Sequence, residues 1–333
     1  MQWWLGRNKA RPHTLLLEAG NLFISSAQMP TERPGEGVAR AEVFLQVMHK
    51  MGYAAINVGI GELALGLEPL QRLAKQYKMP LLSANLLHQG KPVFAPTWVK
   101  DYGLVKVGVF GLITSTPPEL GKWVANQGLN IADPVGSAKQ AVAELRQQHC
   151  ELIVLLSQLS RQEAQVVADQ VPEITLILGS TGMEASTQLT AMGHGFFADA
   201  FTKGKYMGEI LVSVRGDKNQ FYAANLRSSL AAERADLASQ VQGLQSQLET
   251  ANKPGGPLQL TPETRQQMER QLAGVRAHLQ RVSMELEGNI ETPTSASTVE
   301  LTMGSLDNEI VDDAWADAKV KKLQEKFPKQ NGH

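Results

Sequence analysis

"TLLLEAGNLF", residues 14–23, runs from an apolar stretch of strand length into Glu-Ala-Gly-Asn, a glycine-containing polar turn. Four to eight apolar residues bounded by turn formers suit a strand covered on both faces, as in a parallel sheet. Comparable runs occur further along: "AAINVG" at 54–59, "PLLSANL" at 80–86, "VKVGVFGLI" at 105–113, "ELIVLLS" at 151–157 and "ITLILGS" at 174–180. Between several of them lie segments of helical period. Residues 37–51 place Val38, Ala41, Phe44, Leu45 and Met48 on one face, and 66–78, 134–149 and 161–170 are further helices. The alternation predicts an α/β fold with a largely parallel sheet and helices packed over it. After residue 193 the strand candidates "GHGFFADAF", "GEILVSV" and "QFYAANL" come without helices, so an antiparallel portion or second sheet is expected.

Composition bounds what the turns can do. With 333 residues, 43% of them apolar and 20% charged, the chain can bury a substantial core. Lys and Arg total 32 against 33 for Asp and Glu, which gives no global field toward nucleic acid or an anionic membrane. The one cysteine, Cys150, beside "ELIVLLS", reads as a core thiol, since alone it makes neither an intrachain disulfide nor a thiolate metal site. No stretch reaches the about 18 consecutive apolar residues of a membrane span, and "MQWWLGRNKARPHT" lacks a signal-peptide apolar core. A soluble chain without an export signal of its own is expected.

From about 229 the composition turns to Gln, Ala, Leu, Glu and Arg. Leu237, Val241, Leu244 and Leu248 recur at coiled-coil spacing, as do Met268, Leu272, Val275, Leu279, Val282 and Leu286. "NKPGGPLQLTPET" between them stops one helix and starts the next, with Thr261 as N-cap, Pro262 at the first helical position and Glu263 in the first turn. The pattern predicts an antiparallel helical hairpin over 229–290. It lies between a core at 1–228 and a segment at 291–333, which holds a returning strand at 298–304 and a helix over about 312–326.

The order of these segments resembles the N-terminal metallophosphoesterase domain of the 5'-nucleotidases, in the calcineurin-like superfamily. The resemblance is carried by "LLLEAGNLF" against a strand ending Asp-Ala-Gly-Asp, "MGYAAINVGIGELALGLEPL" against Gly-Tyr-Asp then Gly-Asn-His-Glu, and "MPLLSANL". It continues through "VKVGVFGLIT", "DPVGSAKQAVAELR", "ELIVLLSQLS" against Leu-Ser-His-Leu-Gly, "ITLILGSTGM" against a Gly-His-Ser-His ending, and "GKYMGEILVSV". It runs from about 14 to 226 and implies an α/β/β/α sandwich, with the helical hairpin inserted. It also implies, by its chemistry, two divalent ions that clamp a phosphate and activate water.

That chemistry needs an anionic bridge and neutral imidazoles, because closely spaced dications repel unless a carboxylate lies between them. Matched position by position, Asn21 stands for the bridging aspartate, Ile60 for the ligand asparagine and Gly61 for the catalytic histidine. Glu62 matches the glutamate of that motif, and Glu18 stands at the first acidic position of the Asp-Ala-Gly-Asp strand ending. Gln158 stands for the histidine after Leu-Ser, and Thr181 and Met183 for the last two histidines. The family's first strand, with its Asp-x-His pair, has no counterpart. Asn21 and Gln158 read as hydrogen-bonded turn residues, and Glu62 as an acid balancing a helix N-terminus. No Gly-x-Ser-x-Gly elbow, phosphate loop or Cys-x-x-Cys-His occurs.

The expectation is a non-catalytic metallophosphoesterase-fold protein, an interaction or scaffold module without cofactor or metal. Its partner is a second copy or another protein met through the hairpin. A metal-dependent phosphoesterase with a remodelled or truncated site is the alternative, and a cleft that holds a nucleotide without hydrolysing it is a third. The compartment stays open; the resemblance suggests a periplasmic or extracytoplasmic one. Met1 is either the true start of a lone domain or the edge of a fragment.

Overall fold

The computed structural model describes residues 13–23, 34–115, 118–181, 186, 188–200, 204–215, 220–224, 226–251, 261–287, 295–306 and 313–328. Two compact units divide it, one made of residues 211–300 and the other of the described residues on either side.

The larger unit is built from two main sheets and a small third one. In the first, β1 (Leu16–Glu18), β2 (Tyr53–Asn57) and β3 (Leu81–Leu82) run parallel in that order. The second is mixed and six-stranded, in the order β11-β12-β10-β9-β7-β6: β6 (Thr97–Asp101), β7 (Lys106–Ile113), β9 (Leu152–Gln158), β10 (Leu176–Gly179), β11 (Thr190–Met192) and β12 (Gly195–Asp199). Its centre, β7-β9-β10-β12, is parallel, and β6 and β11 close the edges antiparallel. A small antiparallel sheet joins β4 (Leu86–His88), β5 (Lys91–Pro92) and β8 (Leu129–Ile131).

Helices cover the outer faces. α1 (Pro34–Met51), the short α2 (Ile60–Leu63) and α3 (Leu67–Gln76) pack on the first sheet, where Leu45, Met48, Leu70 and Leu73 meet Ile56, Val58 and Leu81. α4 (Pro118–Ala125) adds Val124 to that cluster. α5 (Pro134–Gln147) and α6 (Arg161–Gln170) cover the second sheet, with Leu145, Val142 and Val167 against Phe110, Leu112, Ile153 and Leu155. Cys150 is buried in the same cluster. Both helices start on side-chain caps, Asp133 accepting from Gly136 N at 2.6 Å and Ser160 from Glu163 N at 3.2 Å. Between the sheets, the inward side chain of Asn57 donates from Nδ2 to the carbonyls of Ala19 and Leu112, each at 3.0 Å. Helix, sheet, sheet and helix are therefore stacked in four layers, the α/β/β/α sandwich.

The smaller unit contains α7 (Leu226–Ala251), α8 (Pro262–Glu287) and β14 (Phe221–Ala223). β13 (Tyr206–Ser213) and β15 (Ser297–Ser305) continue from one unit into the other, and β14 pairs parallel with β15. This compact span is wider than 229–290. Leu230 and Leu237 of α7 pack with Val275, Leu279, Val282 and Leu286 of α8, so the start of one helix lies beside the end of the other and the two are antiparallel. Leu248 and Leu272 are also buried, and Val241, Leu244 and Met268 half-buried. Thr261 caps α8, its Oγ1 accepting from Thr264 N at 3.2 Å. In the larger unit, α9 (Ala314–Lys326) packs on α1, with Lys50 Nζ 4.2 Å from the Trp315 ring centre. No helix among the described residues is long and apolar enough to cross a membrane.

Candidate functional site

Open parallel sheets take ligands at the carboxyl ends of their strands, and in a two-sheet stack those ends converge on one rim. Here Asn57 joins the ends of β1, β2 and β7 through its bonds to Ala19 and Leu112, and β9 and β10 end in register beside β7, so the turns after these strands are taken as the rim. β1 ends at Glu18, and the chain then turns sharply through Gly20 at φ 103° and Asn21 at φ 64°. Asparagine is one of the few residues besides glycine that adopt this left-handed conformation readily. The turn points the N–H groups of Asn21, Leu22 and Phe23 at one carboxylate, that of Glu62, at 2.9, 2.7 and 3.4 Å.

Glu62 lies in the short helix α2 that follows β2 and is 0% exposed. Besides those three donors it accepts from Gly59 N at 2.8 Å, closing the start of α2. Asn21 returns a bond, its Oδ1 accepting from Gly61 N at 3.1 Å. Ile60 is half-buried against the core of the first sheet, and Gly61 is buried. The two turns are thus sewn together mainly through backbone N–H groups.

Burial pushes the Glu62 carboxyl up, while the N–H donors of Asn21, Leu22 and Gly59 pull the other way. Glu18, at the end of β1, is pushed up to about 7, first by burial and then by the charge of Glu62. Tyr53 is raised as well, by burial and by Glu18.

On the second sheet, Gln158 is the last residue of β9 rather than part of the turn beyond it. It is 3% exposed, and its Oε1 has no partner among the described residues. This differs from the hydrogen-bonded turn residue expected, because β9 pairs with β7 through Ile113↔Gln158 and so extends one residue past the expected strand at 151–157. Thr181 lies beyond β10 and donates from Oγ1 to Leu159 O at 2.9 Å. Met183 lies outside the described residues. Glu163 of α6, not singled out from sequence, accepts from Thr114 Oγ1 at 2.9 and 3.0 Å and from Ser160 N at 2.8 Å. It ties the end of β7 to the start of α6.

A pair of divalent ions would need several anionic or imidazole donors left free and convergent. Asn21 contributes a neutral oxygen already engaged by Gly61, both Glu62 oxygens are engaged by backbone donors, and Ile60 and Gly61 have no ligating atom. Among the described residues no three His, Cys, Asp or Glu side chains are grouped to hold an ion. The donor set on this rim does not fit a dinuclear centre.

The comparisons with known proteins agree with the architecture. A 5'-nucleotidase of Vibrio cholerae is 29% identical over 145 residues, which is 43% of this chain and 26% of that protein. The structure of the NAD nucleotidase NadN of Haemophilus influenzae superposes with a TM-score of 0.56 at 16% identity, covering 97% of this chain and 53% of that one. The calcineurin-like phosphoesterase YfkN of Bacillus subtilis gives 0.53 at 17% identity, over 66% of this chain and 77% of that one. The chain is similar in sequence to part of the 5'-nucleotidases and shares the fold of the calcineurin-like phosphoesterases. No protein-family model matches it. The superfamily match spans about a quarter of the length of the curated 5'-nucleotidase.

Proposed function

We propose that this chain is a phosphoesterase-superfamily protein that has given up two-metal hydrolysis and acts as an interaction or scaffold module. One observation carries the proposal: where a dinuclear centre needs anionic and imidazole ligands, the described rim offers Asn21, Ile60, Gly61, Gln158 and Thr181. Without a bridging carboxylate, the mutual repulsion of two dications a few Å apart has nothing to offset it. The surface proposed for a second copy or another protein is the helical pair. Its apolar seam is used between α7 and α8, so contact falls to the outward faces, where Met284 is 66% exposed.

Kinship supports the alternative better than it supports a scaffold. The relatives carry the names of phosphoester hydrolases, which favours metal-dependent phosphoester hydrolysis at a remodelled site. Glu18 and Glu62 are the acids such a site would have at hand. Assaying the protein with added Mn2+ against nucleotides and aryl phosphates separates the two. Background turnover agrees with the non-catalytic proposal. Turnover above background that Glu18→Ala or Glu62→Ala abolishes establishes the hydrolase instead.

A further inference from the structure

The unfitted rim leaves a question about what holds its two turns together. In a two-metal site, ions shared by the turns would contribute to that. Here the turns after β1 and β2 approach closely enough that a side chain on Gly20 or Gly59 would force its neighbours to shift. A Cβ on Gly59 would lie 3.0 Å from Asn21 Oδ1 and 3.0 Å from Glu62 Oε2, and a Cβ on Gly20 would lie 3.0 Å from Asn57 O. The space between the turns is filled by side-chain oxygens facing backbone N–H groups.

We infer that Glu62 and Asn21 form a reciprocal, metal-independent clasp that locks these two turns, so that restoring an aspartate at position 21 does not restore an ion site. A buried carboxylate without a cation is tolerated only when hydrogen-bond donors satisfy it. Glu62 meets that requirement with N–H groups from both turns: Oε2 from Asn21 and Gly59, Oε1 from Leu22 and Phe23. Asn21 supplies the bond in the opposite direction, to Gly61.

The neutrality of Asn21 has its reason in the same geometry. Its Oδ1 and Glu62 Oε2 both border the point where a Gly59 Cβ would be, so they are close neighbours. Two carboxylates there would repel each other unless an ion lay between them. An amide keeps the acceptor oxygen without the charge, so asparagine is the residue that suits a clasp without metal.

The clasp stands whether or not the chain hydrolyses anything, and its test does not use turnover. Hydrogen exchange on the wild-type protein in EDTA should show the Asn21, Leu22 and Gly59 amides among the protected set, and Mn2+ should leave that protection and Tm unchanged. Glu62→Gln, which turns an NH2 toward backbone donors, should lower Tm and release those amides. Asn21→Asp should also lower Tm, with no rescue by Mn2+. Fast exchange at these amides in the wild type overturns the inference. So does a Glu62→Gln protein with wild-type Tm and protection, or an Asn21→Asp protein that Mn2+ raises above its metal-free Tm.

Discussion

Asn57 fills the space that a side chain on Gly111 would occupy: a Cβ there would lie 2.2 Å from Asn57 Oδ1 and 3.0 Å from Leu82 O. Asn57 is on β2 and Gly111 on β7, so this contact sets how closely the two sheets approach. Gly111→Ala should therefore push the sheets apart or displace Asn57 from its bonds to Ala19 and Leu112. Overpacking of this kind costs about 1–3 kcal/mol. A denaturant melt that shows no loss would mean that the inter-sheet gap is softer than the geometry implies.

Glu18 makes stability depend on pH. Its carboxyl keeps its proton to about 7 in the folded chain, against 4.5 for an ordinary glutamate. Between those values the native state binds more protons than the unfolded one, so stability falls as pH rises across that window. The contribution is fully present below the lower value and is lost as pH rises through about 7. Glu18→Gln should flatten this part of a Tm-against-pH curve, and a variant with the wild-type slope would assign the titration to another group.

The helical pair should depend on its seam. Leu272 is buried and Leu279 half-buried against α7, and full burial of a leucine contributes about 1.5–3 kcal/mol. Leu272→Asp with Leu279→Asp should reduce far-UV helicity and, if copies associate through the pair, shift sedimentation toward monomer. Unchanged helicity and unchanged sedimentation would leave the seam with neither role.

We further propose that residues 229–290 are an insertion on which the larger unit does not depend. Replacing them with a short Gly-Ser linker should leave a cooperative melt. Loss of cooperative unfolding would make the helices part of the core.

The long elements were legible because each carries its own pattern: apolar runs for β7 and β9, spaced apolar faces for α1 and α5. The two- and three-residue strands β5, β8 and β11 were not, since pairing rather than residue type makes them strands. At the rim, the departures from the family ligands were visible one position at a time. What Glu62 does was not. Its donors after β1 are backbone N–H groups 39 to 41 residues away, and every residue except proline has one. The sequence offered Glu62 only as an acid balancing a helix N-terminus. Gln158 was misplaced by one element because the apolar run stops at Leu156 while the ladder continues through Ser157 and Gln158.

The most direct measurement is the metal content of the intact chain, purified without chelator, incubated with Mn2+ and Zn2+ and freed of excess ions. The account predicts no stoichiometric ion and no change in Tm on adding or removing metal. One or more tightly held ions per chain, with a Tm that falls in EDTA, would contradict it and restore the phosphoesterase alternative.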